Sequence, residues 1–170
     1  MRIEDGHRSI EKWHVDSKAE LDTLEIGRAV GRSVKVGDAV LLIGELGAGK
    51  TRFVQGMAEG IESPNNARSP TFVLVNPHQG RITLQHCDLY RISNITEVDD
   101  LGFDEMLEEG TLAVEWADRA RKSFPSDSLE VVFTVTGDNS RDLVFTTGGT
   151  RSVRLLEDTR VIVESDGASV

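Results

Sequence analysis

The chain has very little cysteine and no long apolar run, and both shortages restrict the class of protein it can be. Cys87 is the only cysteine among the 170 residues, so no disulfide can form within the chain. This fits a reducing cytoplasm, where we expect the protein to reside. No stretch approaches the ~18 consecutive apolar residues that a membrane-spanning helix needs. The first segment, "MRIEDGHRSIEKWH", is too charged for a secretory signal peptide. We therefore expect a soluble protein with no membrane association.

Positive charge is also in short supply. The 19 lysine and arginine residues oppose 29 aspartate and glutamate residues, which gives a formal net charge of −10. Nonspecific binding to nucleic acid depends on lysine and arginine neutralising phosphates, so this balance argues against stable direct binding of nucleic acid. If the protein serves RNA, we expect another subunit to hold that RNA. The alternative is an acidic surface that only keeps the protein soluble.

Hydrophobic patterning and turn signals divide the chain into alternating strands and helices, and 38% hydrophobic content is enough for one substantial core. Helices are predicted from Ser17 and over residues 50–61, 97–109 and 117–123. Strands are predicted over residues 10–16, 39–44, 71–76, 81–90, 111–117, 129–137 and 141–147. The pairs 71–76 with 81–90 and 129–137 with 141–147 flank short loops that are typical of hairpins. The mixture predicts an α/β protein with a partly parallel sheet and antiparallel hairpin additions.

The chain shows no repeat or linker long enough to divide it. We therefore predict a single domain over residues 1–150. Residues 151–170 are predicted to form a C-terminal extension of edge strands or a frayed tail.

The segment "GELGAGKT" (44–51) directly follows the apolar run "AVLLIG" (39–44). Gly44, Gly49, Lys50 and Thr51 fit the phosphate-binding pattern G-x-x-x-x-G-K-[ST] at every defined position. In this pattern the glycines let backbone N–H groups converge on phosphate oxygens, the lysine reaches the β- and γ-phosphates, and the hydroxyl binds Mg²⁺. An ordinary strand-to-helix turn would explain the glycines but not Lys50 and Thr51. The pattern therefore predicts a nucleoside triphosphate site.

Hydrolysis of a bound nucleotide also needs an acid near the metal and the attacking water, and two strand ends offer one. Glu115 closes "TLAVE", four small or apolar residues followed by an acid, which is typical of a Walker B strand. Asp88 closes "ITLQHCD", where His86 lies on the same face of the strand. The alternative for both acids is a solvated carboxylate at a strand end.

A segment that senses the γ-phosphate is a further requirement of many such enzymes. In "RSPTF" (68–72), Pro70 keeps the preceding residue extended, so Thr71 could present its hydroxyl to Mg²⁺ or the γ-phosphate. A simple strand-entry turn explains the same segment equally well.

Three other side chains have an ordinary and a functional interpretation. Trp116 could stack on a base or a partner, although a core tryptophan is commoner. His86 could be a base, but a hydrogen-bonded structural histidine is the simpler interpretation. Cys87 alternates to the face opposite Asp88 and is interpreted as a packing residue.

Taken in order, "GELGAGKT", "SPTF", "HCDLYR" and "EW" resemble the TsaE family, the small P-loop ATPases of tRNA threonylcarbamoyladenosine (t6A) biosynthesis. The resemblance covers about residues 17–137. It implies a P-loop NTPase fold with a mixed, mostly parallel central sheet flanked by helices. It also implies slow, Mg²⁺-dependent ATP hydrolysis that supports turnover of the TsaD–TsaB transferase complex, with tRNA reached only through that complex.

The resemblance assigns roles to particular positions. Catalysis would involve Lys50, Thr71, Asp88 and Glu115. Nucleotide binding would involve Gly44, Leu46, Gly47, Ala48, Gly49, Lys50, Thr51, Arg52 and Trp116. Metal binding would involve Thr51, Asp88 and Glu115. Glu45 stands where the family usually has aspartate, and Arg52 replaces a common small polar residue. Nothing is carried over beyond about residue 140.

Two other functions use the same residues. A small-molecule kinase also needs a P-loop and an acid, but usually has an arginine-rich lid, whereas the region after "EW" offers Arg119 and Arg121 and then turns to two β-rich runs. A nucleotide-gated binding module would keep the P-loop and lose the acids, and the presence of Asp88 and Glu115 counts against it.

Overall fold

A mixed β-sheet forms the centre of the molecule. The structure is a computed structural model and describes residues 10–64 and 74–166. The strands within these ranges are β1 (Lys12–Ser17), β2 (Ala39–Gly44), β3 (Val75–Gln79), β4 (Thr83–Asp88), β5 (Gly110–Glu115), β6 (Leu129–Val135) and β7 (Arg141–Thr146). They form one seven-stranded sheet in the order β1-β7-β6-β2-β5-β4-β3.

Helices cover both faces of this sheet. The described residues form α1 (Glu20–Ser33), α2 (Lys50–Gly60), α3 (Ile95–Asp99), α4 (Phe103–Glu109), the 3₁₀ segment Ala117–Ser123 and α5 (Thr150–Ser165). Among them there is no helix with the combined length and apolar character that crossing a bilayer demands.

The four central strands run parallel, and the outer strands run antiparallel. Strand β2 pairs in parallel with β5 and β6, and β4 pairs in parallel with β5. Strands β3 and β7 pair antiparallel with β4 and β6, and β1 pairs antiparallel with β7. The predicted α/β class, the mixed sheet and both hairpins are therefore confirmed. The first strand of the earlier hairpin was predicted over 71–76 but runs over Val75–Gln79, so Pro77, His78 and Gln79 pair with β4 instead of forming the loop, and residues 71–73 lie outside the described residues. The parallel arrangement brings the carboxyl ends of β2, β4, β5 and β6 to one edge of the sheet.

Strand β2 is apolar without alternation because both of its faces are covered. Val40 and Leu42 pack into one core cluster with Phe53 of α2. Leu41 packs into a second cluster, on the other face, with Leu112 of β5. Burial on both faces is the usual situation of a central parallel strand.

Helices α1 and α2 approach each other closely through glycines. A Cβ added at Gly27 would lie 2.1 Å from the carbonyl oxygen of Phe53, and one added at Gly56 would lie 2.1 Å from that of Leu24. Both distances are far below van der Waals contact, so any side chain at either position would push the helices apart. Since α2 begins at Lys50, this contact fixes the helix that carries the end of the glycine-rich loop.

The expectation of edge strands or a tail after residue 150 is wrong. Thr150–Ser165 is helix α5, which buries Leu155 and Leu156 in the same core cluster as Val30 of α1. Arg154 secures it by donating hydrogen bonds to the carbonyl of Ser33 and to the buried Asp38 carboxylate.

Two predicted helix boundaries also differ. Ser17 is the last residue of β1, because it pairs with Arg141 of β7, and α1 begins only at Glu20. The helix predicted over 97–109 is split into α3 and α4, because Gly102 adopts a left-handed conformation with φ +77° between them.

Candidate nucleotide-binding site

The glycine-rich loop leaves the carboxyl end of β2 and enters α2. Gly47 and Gly49 have φ values of +78° and +103°, which residues with a side chain rarely adopt. A Cβ added at Gly47 would meet no atom within 4 Å, so this side of the loop is open. The loop therefore has the backbone shape that suits phosphate binding at a helix N-terminus.

Lys50, at the start of α2, has its ammonium group folded over the loop. Its Nζ donates hydrogen bonds to the carbonyls of Gly44 at 2.5 Å and Glu45 at 2.7 Å. The same atom lies 4.3 Å from the centroid of the Trp116 ring. Burial lowers the pKa of Lys50, and nearby carboxylates, first among them Glu115, oppose that shift. The ammonium group is therefore held at the mouth of the loop.

Glu115, the last residue of β5, is buried and has a partner for each carboxylate oxygen. Oε1 accepts a hydrogen bond from the Thr51 hydroxyl at 2.8 Å. Oε2 lies 2.5 Å from Nε2 of His86, which is fully buried on β4. Because an ionised carboxylate only accepts hydrogen bonds, His86 donates from Nε2 when Glu115 is charged. The two contacts fix the orientation of the carboxylate beside the loop.

Asp88 lies next to Glu115 on the neighbouring strand. The two residues are in register across β4 and β5, so both acids stand at the same edge of the sheet. Asp88 Oδ1 accepts a hydrogen bond from the backbone N–H of Tyr90 at 2.9 Å, and the side chain faces the same cleft as Lys50. The pairing of strands has thus brought together two acids that are 27 positions apart in the chain.

An aromatic wall closes one side of the cleft. Trp116 has φ +59°, a left-handed conformation that is costly for a residue with a side chain. Its ring lies 5.0 Å from that of Tyr90, and the Arg119 guanidinium lies 5.2 Å from the Trp116 centroid. Trp116 is thus flanked by Lys50 and Arg119, two cations that favour its π-face.

These features surround one cleft of about 430 Å³. Its lining consists of Leu46, Gly47, Ala48, Gly49, Lys50, Thr51, Arg52, Asp88, Tyr90, Arg91, Glu115 and Trp116. Gly44 lines an adjoining groove that shares Leu46 and Trp116 with this cleft.

A family model described as "Threonylcarbamoyl adenosine biosynthesis protein TsaE" matches residues 17–143. The chain belongs to the TsaE family.

Individual relatives agree with this assignment. A tRNA threonylcarbamoyladenosine biosynthesis protein TsaE from Bacillus subtilis is 36% identical over 149 residues, which cover 86% of this chain and 92% of that protein. The protein of the same name from Treponema pallidum is 35% identical over 128 residues, which cover 75% and 95% of the two chains. The crystal structure of Bacillus subtilis YdiB superposes with a TM-score of 0.75 at 30% identity and covers 89% of this chain and 96% of that one. The predicted family is confirmed, and the fold agrees with it.

The residues that the TsaE resemblance singled out are brought together wherever the structure describes them. Lys50, Thr51, Asp88 and Glu115 converge at the mouth of the loop. Thr71 lies outside the described residues. Arg52 borders the cleft, but its guanidinium donates hydrogen bonds to Glu20 at 3.1 Å and to Gln55 at 3.0 Å.

Two polar contacts were not foreseen from the TsaE motifs. His86 is a buried, hydrogen-bonded histidine, as interpreted from the sequence, but its partner Glu115 was not foreseen. Its position on the same strand face as Asp88 was the available signal. Arg141 was not singled out at all, and it contacts the glycine-rich loop directly. By contrast, Cys87 is fully buried, and burial raises the pKa of its thiol to about 12, in line with a packing role.

Proposed function

We propose that this chain is the Mg²⁺-dependent ATPase of the t6A modification machinery, and that its hydrolysis supports turnover of a TsaD–TsaB transferase complex. The observation that carries the proposal is the Glu115 carboxylate, buried and oriented from two sides beside a phosphate-binding loop and a lysine. A loop that only bound nucleotide would not need a buried, oriented acid at this position. A cytoplasmic location, shared with tRNA, is part of the proposal.

The loop and Lys50 would hold the triphosphate. The positive φ values of Gly47 and Gly49 give the loop the backbone shape in which N–H groups bind phosphate, and the N-terminus of α2 adds its positive dipole end. Lys50 now donates to two backbone carbonyls, and a phosphate oxygen would offer it a charged acceptor instead. The attraction between the ammonium group and a negatively charged phosphate adds to the hydrogen bond, so the exchange favours the nucleotide.

The oxygen atoms at the mouth of the loop suit Mg²⁺. Thr51 Oγ1 and Glu115 Oε1 are 2.8 Å apart, close to the roughly 3 Å that separates adjacent ligands in octahedral Mg²⁺ coordination. The residues 10–64 and 74–166 contain no cluster of three His, Cys, Asp or Glu side chains that could bind a metal by themselves. Mg²⁺ is usually held by one or two carboxylates together with the phosphates of a substrate, which this arrangement permits. Bound there, the ion would neutralise charge on the β- and γ-phosphates.

Glu115 and Asp88 would act on the attacking water. Glu115 accepts hydrogen bonds on both oxygens and is therefore placed to orient a water or metal ligand at the γ-phosphate, with His86 fixing its direction. Asp88, in register on the neighbouring strand, would contact the same water or metal ligand from the other side. Trp116 would border the nucleotide from the aromatic wall.

The test is a phosphate-release assay with Mg²⁺ and ATP, performed with the protein alone and with TsaD, TsaB and tRNA added. We expect slow release from the protein alone and faster release with the partners. Stimulation by a nucleoside or sugar instead, with formation of its phosphate ester, would indicate a kinase.

A variant of Glu115 separates binding from hydrolysis. Glu115→Gln preserves the size of the side chain but removes its charge, so ATP binding should remain and phosphate release should fall by about a hundredfold or more. Glu108→Gln, an exposed position on α4, is the matched control. A Glu115→Gln variant that hydrolyses ATP at the wild-type rate would exclude this role.

A further inference from the structure

Arg141, the first residue of β7, connects the glycine-rich loop to the hairpin between β6 and β7. Its Nε donates to the carbonyl of Ala48 at 3.1 Å, and Nη2 donates to that of Gly47 at 3.2 Å. Its Nη1 donates to the carbonyls of Gly137 at 3.1 Å and Ser140 at 2.9 Å. One guanidinium group thus joins four backbone carbonyls, two in the loop and two in the hairpin turn.

The contact with the Ala48 carbonyl determines where the Gly49 amide points. In a planar trans peptide the C=O and the following N–H point in opposite directions, and no cis peptide occurs in the described residues. Because the Ala48 carbonyl faces Arg141, the Gly49 N–H faces away from it. Gly49 itself, at φ +103°, offers little resistance to rotation of this peptide plane, since glycine tolerates many backbone conformations. The guanidinium therefore supplies the constraint that the glycine lacks.

Arg141 also differs from Arg28 and Arg154 in its partners. No carboxylate of residues 10–64 or 74–166 forms an ion pair with it, whereas Arg154 and Arg28 each pair with an acid. Its described partners are neutral carbonyls. A positive charge whose hydrogen-bond partners are neutral carbonyls adds to the attraction of the loop for an anion.

We propose that Arg141 is a positioning residue for nucleotide binding, which keeps the Gly49 amide of the loop turned away from β7 and adds a cation without an ion-pair partner among the described residues behind the loop. The inference rests on the proposed function, because it takes the triphosphate as the ligand of the loop. Arg141 acts through the backbone of the loop and not by contact with the reacting atoms.

The test compares ATP affinity, measured by calorimetry, in Arg141→Ala, Arg141→Lys and a matched control. Arg141→Ala should raise the Kd for ATP by about tenfold, because ATP binding would then have to order the backbone of the loop itself, at a cost of about 1–2 kcal/mol per residue. Arg141→Lys keeps the charge but loses the planar fork, so its Kd should lie between those of the wild type and the alanine variant. The control is Arg81→Ala, because Arg81 also donates to backbone carbonyls, those of Gly31 and Val34, at the opposite end of β4.

A second readout is amide hydrogen exchange of residues 44–50 in the protein without nucleotide. Arg141→Ala should speed exchange in this loop, and Arg81→Ala should not. A loss of thermal stability shared by both alanine variants, with ATP affinity and loop exchange unchanged in Arg141→Ala, would overturn the inference. A wild-type protein that binds no ATP would overturn the proposed function itself, and loop exchange would still report whether Arg141 holds the loop.

Discussion

Glu115 is the residue on which the site depends most. A charged group is costly to bury unless hydrogen bonds replace its water, and here the Thr51 hydroxyl and the His86 ring do so. His86 Nδ1 has no hydrogen-bond partner among the described residues, so the contact with Glu115 is the polar contact that places this ring. The residue beyond Glu115, Trp116, adopts a left-handed backbone conformation, which adds strain at the same point.

Lys50→Ala should weaken ATP binding because the ammonium group at the loop mouth is lost. We expect the Kd for ATP, measured by calorimetry, to rise by about tenfold or more, since hydrogen bonds to charged groups are worth about 1.5–3 kcal/mol. Lys122→Ala removes an equal charge from an exposed position and should leave the Kd unchanged. Equal ATP affinity in the Lys50 variant and the wild type would contradict the role given to Lys50.

Part of this site could be predicted from the sequence because its signals are local. The spacing of Gly44, Lys50 and Thr51 lies within eight residues, and Asp88 and Glu115 each end an apolar strand. The contact between His86 and Glu115 depends on the register of β4 against β5, which no local pattern encodes. Arg141 reaches Ala48 of the loop from a strand 93 positions later, and no motif surrounds it.

At the scale of elements, α5 depends on an acid from elsewhere in the chain. The Asp127 carboxylate accepts hydrogen bonds from the backbone N–H groups of Arg151 and Ser152, both at 2.9 Å, and from the Ser152 hydroxyl at 2.6 Å. These amides belong to the first turn of the helix, where a carboxylate also meets the positive end of the dipole. The start of α5 is therefore fixed to the segment before β6.

Asp127→Ala should destabilise the protein in a pH-dependent way. Burial pushes the pKa of Asp127 upward, but hydrogen bonds from Ser152 and Arg151 outweigh it, so the pKa is lowered. A lowered pKa means that the ionised group stabilises the fold above its unfolded pKa of about 3.9, and that this stabilisation is lost as the pH falls through the folded pKa. Urea unfolding at pH 7 should show a loss of about 1 kcal/mol, typical of a missing helix cap.

The same measurement near pH 3 should show a smaller difference between Asp127→Ala and the wild type. Asp138→Ala, an exposed acid in the turn after β6, is the control and should change stability little at either pH. A difference that stayed constant from pH 7 to pH 3 would mean that the charge of Asp127 does not contribute.

Helices and strands could be predicted where the hydrophobic pattern and the turn residues that define them lie within the same short segment. Most strands and both hairpins followed from apolar runs and turn residues, whereas β3 (Val75–Gln79) has few apolar residues and was predicted too early in the chain. Helix α5 was missed because Val161, Ile162 and Val163 are β-branched and favour strands. Packing on α1 decides which side of the helix, including Leu155 and Thr159, is buried. Its cap, Asp127, is also 23 positions before the helix begins.

At the scale of the whole molecule, the acidic charge balance bears on how the protein meets RNA. The net charge of −10 opposes nonspecific attraction to a polyanion, although Lys50, Arg91 and Arg119 gather near the cleft. A few clustered cations can hold the phosphates of one nucleotide without providing the extended basic surface that tRNA requires.

The isolated protein should therefore bind tRNA poorly. In a gel-shift experiment at physiological salt we expect no complex at protein concentrations up to about 10 µM, a concentration in the middle of the range of ordinary nonspecific dissociation constants. A sample containing TsaD, TsaB and tRNA serves as the positive control. A tight, salt-resistant shift with the isolated protein would show that it contacts tRNA directly.

The stacking of Lys50 on Trp116 has a practical consequence. The chain contains two tryptophans, and the other, Trp13, packs on Phe145 at the far side of the sheet. Four strand spacings separate β1 from β5, which is roughly 19 Å, so the two indoles are in separate surroundings. A nucleotide that draws the ammonium group away from Trp116 changes the environment of one indole and leaves the other as it was. In a Trp13→Phe background, intrinsic fluorescence would then follow occupancy of the cleft in real time, without a label.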